Sequence, residues 1–123
     1  MYALGTFNVD LTPQDDDGFP VGRMLIEKTY AGDLNGTGTG QMISKRTEAG
    51  AAVYYAIEEV SGLLDSKSGT FTLLHKGYMD KNSQSLEVRI LEGSGSGELQ
   101  GISGSMVISQ DENVHKYRLS YEL

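Results

Sequence analysis

The segment KYRLSYEL, residues 116–123, alternates polar and apolar side chains at every position. Its apolar residues are Tyr117, Leu119, Tyr121 and Leu123, and the same pattern recurs at Leu86, Val88 and Ile90. A period of two is the signature of a β-strand with one buried face. These two segments predict strands, and the rest of the chain is interpreted outward from them.

The pattern predicts an all-β chain of eight strands. They lie near residues 3–11, 22–31, 34–46, 51–64, 69–80, 84–92, 98–110 and 115–123. Pro13 and Pro20 are the two prolines of the chain, and both lie in the loop TPQDDDGFP at 12–20. Every predicted strand interior therefore keeps its backbone donors.

The segment AAVYYAIEEVSGLL at 51–64 also fits a second pattern. Positions 53, 57, 60 and 64 also fit the apolar stripe of a helix, so the segment suits a helix nearly as well as a strand. Aromatic and β-branched residues are frequent here, and they favour the strand.

A weak internal repeat indicates how the strands are connected. SGLLDSKSGTFTL at 61–73 aligns without gaps on SGELQGISGSMVI at 96–108, and each copy reads as strand, tight turn, strand. Successive hairpins favour an up-and-down β-barrel over a sandwich, because closure removes the exposed strand edges. We therefore predict one domain, residues 1–123, folded as an eight-stranded antiparallel barrel.

The composition excludes several functional classes. The net charge of −7 repels a phosphate backbone, so we expect no nucleic-acid partner. No apolar run is long enough to span a membrane, and MYALGTFNVDL has no export-signal pattern. The chain has no cysteine, which fits a reducing cytoplasm. His75 and His115 are too few for a zinc site, and we expect neither metal nor cofactor.

The glycine-rich segments GDLNGTGTG (32–40) and EGSGSGELQG (92–101) do not match a phosphate-binding motif. After Gly36 and Gly38, the sixth position of a dinucleotide fingerprint is Gln41, and no convincing helix follows. Residues 36, 38 and 40 share one face of a strand. A face without side chains permits sharp bending, or close approach by an inward aromatic ring or a ligand.

These segments also carry a family resemblance. GDLNGTGTG, then YAIEEVSGLLDSKSGTFTLLHKG (55–77), GSGSGELQGISG (93–104) and YRLSYEL (117–123) resemble a bacterial family of uncharacterised proteins. That family is similar in fold to the plant allene oxide cyclases. The resemblance covers nearly the whole chain, and it implies an eight-stranded antiparallel barrel with a central cavity.

The resemblance implies no activity for this chain. The plant enzymes form trimers and cyclise an unsaturated fatty-acid epoxide inside the barrel, through shape, desolvation, a glutamate and an ordered water. No local motif of this sequence matches their active site residue by residue. Fold alone does not carry function from one protein to another.

Glu58 and His75 are the candidate catalytic residues. A two-residue turn at Ser66-Lys67 places Glu58 directly opposite His75, and so does a four-residue loop. The pair then shares a face with Tyr54, Ala56, Val60, Phe71 and Leu73. In an apolar barrel, a carboxylate and an imidazole would titrate as a coupled pair and serve as an acid–base pair or a polar anchor. A buried structural hydrogen bond or an exposed cross-strand pair is the alternative.

A three-residue loop would instead place Glu59 opposite His75 and turn Glu58 to the other face. That face carries Tyr55, Ile57, Leu74 and Tyr78, so hydrophobicity does not choose between the registers. Apolar residues on both faces suggest that the exterior is covered as well. We therefore expect a homo-oligomer, a dimer or a trimer.

Other inward residues complete the candidate ligand site. A Gly32-Asp33 turn would pair Lys28 with Thr37 and Glu27 with Gly38, and an inward Lys28 would neutralise a ligand carboxylate. The further candidates for ligand contact are Tyr54, Phe71, Leu73, Tyr117 and Tyr121. QDDDG (14–18) resembles half a calcium loop without the terminal glutamate, so a solvated loop is expected.

Three functions fit this sequence. The first is a barrel that binds a small apolar or fatty-acid-like molecule in its central cavity. The second is a cyclase or isomerase that acts on an apolar substrate through Glu58 and His75. The third is a structural or interaction module whose barrel is filled by its own side chains, among them Phe71, Tyr54, Tyr117 and Tyr121.

Overall fold

The computed structural model describes residues 1–15 and 18–123, and these residues form strands, turns and loops without a helix. Among them there is consequently no helix that is long and apolar enough to cross a membrane. The strands are β1 (Tyr2–Pro13), β2 (Gly22–Gly32), β3 (Leu34–Arg46), β4 (Ala52–Leu64), β5 (Lys67–Met79), β6 (Gln84–Ile90), β7 (Ser96–Gly97), β8 (Ser103–Asp111) and β9 (Val114–Glu122). The strand prediction for 51–64 is confirmed, and the helical alternative is wrong.

Eight of these strands close into an antiparallel barrel, as predicted. The ring runs β1-β2-β3-β4-β5-β6-β8-β9, and β1 pairs with β9 to close it. β7 has two residues and pairs with β5 outside the ring, where Gly69 faces Gly97. Each barrel strand therefore has a neighbour on both sides, and the shortest ladder of the ring is that between β6 and β8, with two residue pairs.

The turn between β4 and β5 lies one residue earlier than predicted. Asp65 and Ser66 are its central residues, with φ angles of 47° and 72°. Positive φ at both positions is characteristic of the type I′ turn, whose twist suits a tight hairpin. The register is therefore displaced by two residues, and Glu58 faces Leu73 while Ala56 faces His75. Direct pairing of Glu58 with His75 was wrong, but their common face is retained.

The predicted register between β2 and β3 is also wrong. Lys28 faces Gly38, and Glu27 faces Thr39, because Leu34 already begins β3 and leaves Asp33 as the linking residue. A displacement by one residue exchanges the two faces of a strand relative to its neighbour. As a result, Lys28 shares the inner face with the stripe of glycines at 36, 38 and 40.

The predicted strand at 98–110 begins later, at Ser103. Residues 91–102 form a loop that carries β7 across one end of the barrel. Leu99 and Ile102 on this loop are almost fully buried in the core, so they close that end. We call it the closed end, which also holds Asp33 and the Asp65-Ser66 turn.

The other end of the barrel carries the loops 47–51, 80–83 and 112–113, together with the end of β1 and the start of β2. We call it the open end. Asp16 and Asp17 of the QDDDG segment lie outside the described residues, so the structure does not test the prediction made for it.

Candidate functional site

Glu58 accepts hydrogen bonds from three side chains inside the barrel. Lys28 Nζ lies 2.9 Å from Glu58 Oε1, and His75 Nε2 lies 2.8 Å from the same oxygen. The hydroxyl of Tyr30 donates to the second oxygen, Oε2. Lys28, Tyr30, Glu58 and His75 thus form one polar cluster, and the predicted meeting of Glu58 with His75 occurs diagonally across β4 and β5.

The cluster is deeply buried. Glu58 is 0% exposed, His75 is 7% exposed and Lys28 is 8% exposed. Lys28 Nζ also lies 4.8 Å from the centre of the Phe7 ring and 5.8 Å from that of Tyr30. These aromatic faces stabilise a cation that is largely removed from water.

The space for the Glu58 carboxylate comes from a missing side chain. A Cβ atom at Gly38 would lie 2.0 Å from Glu58 Oε2 and 3.0 Å from Tyr30 Cε2. Gly38 therefore permits close approach, as the sequence indicated, and the approaching groups are the side chains of Glu58 and Tyr30. Tyr54 likewise occupies space left by a missing side chain, because its ring lies over Gly77 on the neighbouring strand.

The electrostatics keep Glu58 ionised. Burial alone would raise the pKa of the Glu58 carboxyl, but the hydrogen bond with His75, the charge of Lys28 and the hydrogen bonds from Tyr30 and Lys28 outweigh it and lower the pKa. Burial and the neighbouring Glu58 charge raise the pKa of Tyr30, which stays a donor. Because an ionised carboxylate only accepts, the His75 proton lies on Nε2.

Between this cluster and the open end, the inward side chains of Ile26 and Ala56 are still buried. Nearer the open end, the inward side chains are mostly apolar and incompletely covered: Val9, Met24, Met42, Tyr54, Ile108 and His115 are half-buried, and Leu11, Met79 and Leu86 are exposed. We call this region the cup. Its wall is mostly apolar, with Ser44 and His115 as polar members, and the cluster lies at its inner end, where the side chains of Lys28 and His75 retain a small accessible surface.

The opposite half of the barrel interior is packed. Phe71, Leu73, Tyr117 and Tyr121 belong to the buried core, together with Leu99 and Ile102. The Tyr117 hydroxyl accepts from Leu34 N at 2.8 Å and lies 3.1 Å from the carbonyl oxygens of both Ala31 and Leu34. Tyr121 donates to Asp65, and burial together with this carboxylate raises its pKa to about 12.

The predicted ligand residues therefore separate into two groups. Lys28 belongs to the cluster and Tyr54 to the cup, whereas Phe71, Leu73, Tyr117 and Tyr121 are packed against one another or against the closed end. The sequence interpretation missed Tyr30 and Gly38 as site residues. Tyr30 shares the inner face of β2 with Lys28 by simple alternation, and this signal was available.

A hollow of about 860 Å³ lies against the outside of the barrel wall. It is lined mainly by outward side chains of β2 to β6, among them Ile43, Tyr55, Ile57, Leu74, Lys76 and Arg89. Across residues 1–15 and 18–123, no three metal-binding side chains converge in this hollow, in the cup or elsewhere.

The sequence of this barrel matches a known protein family. The sequence profile described as "Protein of unknown function (DUF3224)" matches residues 3–121. The chain belongs to the DUF3224 family. The predicted membership of a bacterial family of uncharacterised proteins is thereby confirmed, and nearly the whole barrel lies within the match.

A DUF3224 protein of unknown function from Shewanella oneidensis MR-1 has a solved crystal structure that resembles this one. The two chains are 36% identical, the TM-score is 0.92, and the alignment covers 100% of this chain and 97% of that one. No curated protein matches this DUF3224 chain.

Proposed function

We propose that the protein binds a small apolar molecule with one polar group in the cup. The observation that carries this proposal is the position of the Lys28–Glu58–His75 cluster at the inner end of an incompletely covered apolar wall. A buried ion pair is a weak source of stability, and apolar residues would fill the same space at no loss. A few polar groups in an otherwise apolar pocket are typical of ligand sites.

The packed half of the barrel limits the size of this molecule. Along β2, the distance from Met24 near the open end to Lys28 in the cluster is about 13 Å for a strand, and the inward side chain between them, Ile26, is 6% exposed. A fatty-acid-like molecule of medium length matches that distance and would reach Lys28 by displacing Ile26, whereas a long chain would also have to displace Phe71 and Tyr117. The carboxylate or hydroxyl of the ligand would meet Lys28 and His75.

Catalysis by Glu58 is the less favoured function. An efficient general base has a pKa near the working pH, whereas the pKa of Glu58 is lowered and its oxygens already accept three hydrogen bonds. The likeness to allene oxide cyclases remains one of fold and supports no reaction. A cytoplasmic location, suggested by the lack of cysteine, also remains a proposal.

Calorimetric titration with decanoate, decanol and hexadecanoate tests the proposal. We expect binding of the two medium-length molecules and weaker binding of hexadecanoate. Met42→Trp fills the cup and should abolish binding, while Val107→Trp on the outer face of β8 is the matched control. In the double variant Lys28→Met/Glu58→Gln, decanol should still bind, and any preference for decanoate should be lost.

Two results would overturn the proposal. One is wild-type protein that binds none of these molecules, and the other is Met42→Trp protein that binds them as well as wild type does. Circular dichroism of each variant verifies that the barrel is folded.

A further inference from the structure

The outer face of β2 to β6 has an ordered arrangement of charge and hydrophobicity. Of three neighbouring rows across its middle, the one toward the open end contains Arg23, Ile43, Tyr55, Lys76 and Glu87. The middle row contains Leu25, Gln41, Ile57, Leu74 and Arg89. The third row contains Glu27, Thr39, Glu59 and Thr72. An apolar centre thus lies between a mainly basic side and an acidic side.

The centre of this face is exposed. Ile57 is 62% exposed, and Ile43 and Tyr55 beside it are nearly half exposed. Ile57 faces Gln41 on one side and Leu74 on the other. An apolar centre with charges of both signs around it is the composition of a protein–protein interface.

The shape of the face restricts its partner. The outer wall of a twisted barrel is a hyperboloid, convex around the barrel and hollow along the strands. The 860 Å³ hollow follows this form, since it lies over the middle of β3, β4 and β5. Two such saddles fit into each other when their strands cross at a steep angle.

We infer that this face binds a second copy of the chain in a two-fold symmetric dimer, with Ile57 on the axis. Arg89 lies two strands from Ile57, about 10 Å away, and Glu59 lies two residues along β4, about 7 Å away. A crossed two-fold arrangement brings Glu59 of each copy opposite Arg89 of the other. Charge complementarity therefore selects the same chain as partner.

The overall charge supports this choice of face. A chain with a net charge of −7 repels its own copies over most of its surface. The cations Lys76 and Arg89 offset that repulsion locally and give the acidic residues of a second copy a complementary surface. This dimer is independent of the proposed ligand in the cup, because its residues point away from the barrel interior.

Analytical ultracentrifugation of the full chain, up to millimolar concentration, tests the inference. Wild type should sediment as a dimer, and Ile57→Asp should increase the dissociation constant at least tenfold. Val114→Asp is the matched control, since Val114 is 43% exposed and lies on β9, on the opposite side of the barrel from β4. That variant should leave the dissociation constant unchanged.

Charge exchange tests the geometry itself. Glu59→Arg and Arg89→Glu should each weaken the dimer, since like charges then meet twice across the axis. The variant with both substitutions should dimerise again, and an equimolar mixture of the two single variants should form heterodimers. A monomeric wild type, a trimer, or a double variant no stronger than the single ones would overturn the inference.

Discussion

Gly38 lies beneath the carboxylate of Glu58, and the two residues fit only because Gly38 has no side chain. A Cβ atom there would lie 2.0 Å from Glu58 Oε2. Since that carboxylate is held by Lys28, His75 and Tyr30, it has no free direction in which to move.

Gly38→Ala should consequently destabilise the protein by about 2 kcal/mol, the usual magnitude for overpacking a filled interior. Urea denaturation measures this change. Gly22→Ala is the control in the neighbouring strand, where the nearest atom to an added Cβ is 3.7 Å away. Equal stability losses in the two variants would contradict the close approach at Gly38.

Glu58→Gln should destabilise the protein by about 3 kcal/mol at neutral pH, because it leaves the charge of Lys28 buried without its partner. The folded-state pKa of Glu58 is lowered, so its contribution is present above the unfolded pKa of about 4.3 and disappears as the pH falls through the folded value. The difference between wild type and variant should therefore shrink in acid.

Unfolding free energies measured by urea denaturation from neutral to acidic pH provide this comparison. Glu122→Gln at the exposed end of β9 serves as the control and should have little effect at either end of the range. A wild-type advantage over Glu58→Gln that increases as the pH falls would show that the pKa of Glu58 is raised instead.

Ser66→Gly should stabilise the hairpin between β4 and β5 by roughly 1 kcal/mol. Ser66 has a φ angle of 72°, which strains an L-residue but not glycine, and glycine is preferred at this position of a type I′ turn. Thermal denaturation provides the measurement. Ser85→Gly, in the exposed strand β6, should be neutral or destabilising, and a similar gain in both variants would refute the explanation.

Leu99→Ala should destabilise the protein by about 3 kcal/mol, since it opens a cavity in the closed end. Leu99 is 1% exposed and packs beside Gly69. Leu91→Ala, in the exposed part of the same loop, should have a smaller effect that stays below about 1 kcal/mol. If both leucines contribute equally, the loop covers the barrel without sealing it.

Much of this fold was predictable from the sequence because the alternation of polar and apolar residues is a local signal. β3, β4 and β9 were located within a residue or two, and successive hairpins implied closure. The close approach expected at the glycine stripe was also predicted correctly, since Gly38 makes room for the side chains of Glu58 and Tyr30, while Gly36 and Gly40 lie against the backbone of β4.

The registers were not predictable to the same accuracy. The turn could form at Asp65-Ser66 or at Ser66-Lys67, which are similar turn sequences. Which pair forms the turn depends on φ angles that L-residues rarely adopt. The loop at 91–102 was misinterpreted because Leu99 and Ile102 resemble strand residues. Tertiary packing at the closed end buries them in a loop instead.

The candidate site depended on those registers. The prediction that Glu58 and His75 share a face was confirmed because the β4–β5 register was wrong by two residues, which leaves the strand faces unchanged. The β2–β3 register was wrong by one residue, so the prediction placed Lys28 opposite Thr37 instead of Gly38. Phe71 and Tyr117 fill part of the barrel interior. The sequence pattern shows which face a side chain lies on, but it does not show how much of the interior volume that side chain fills.

The ladder between β6 and β8 consists of Val88 opposite Met106 and Arg89 opposite Ser105, whereas β3 and β4 pair along their whole length. A ring of strands separates first where the fewest backbone bonds hold it together. The barrel should therefore open locally between β6 and β8 first. The amide hydrogens of Val88 and Met106 should exchange with solvent long before that of Val60.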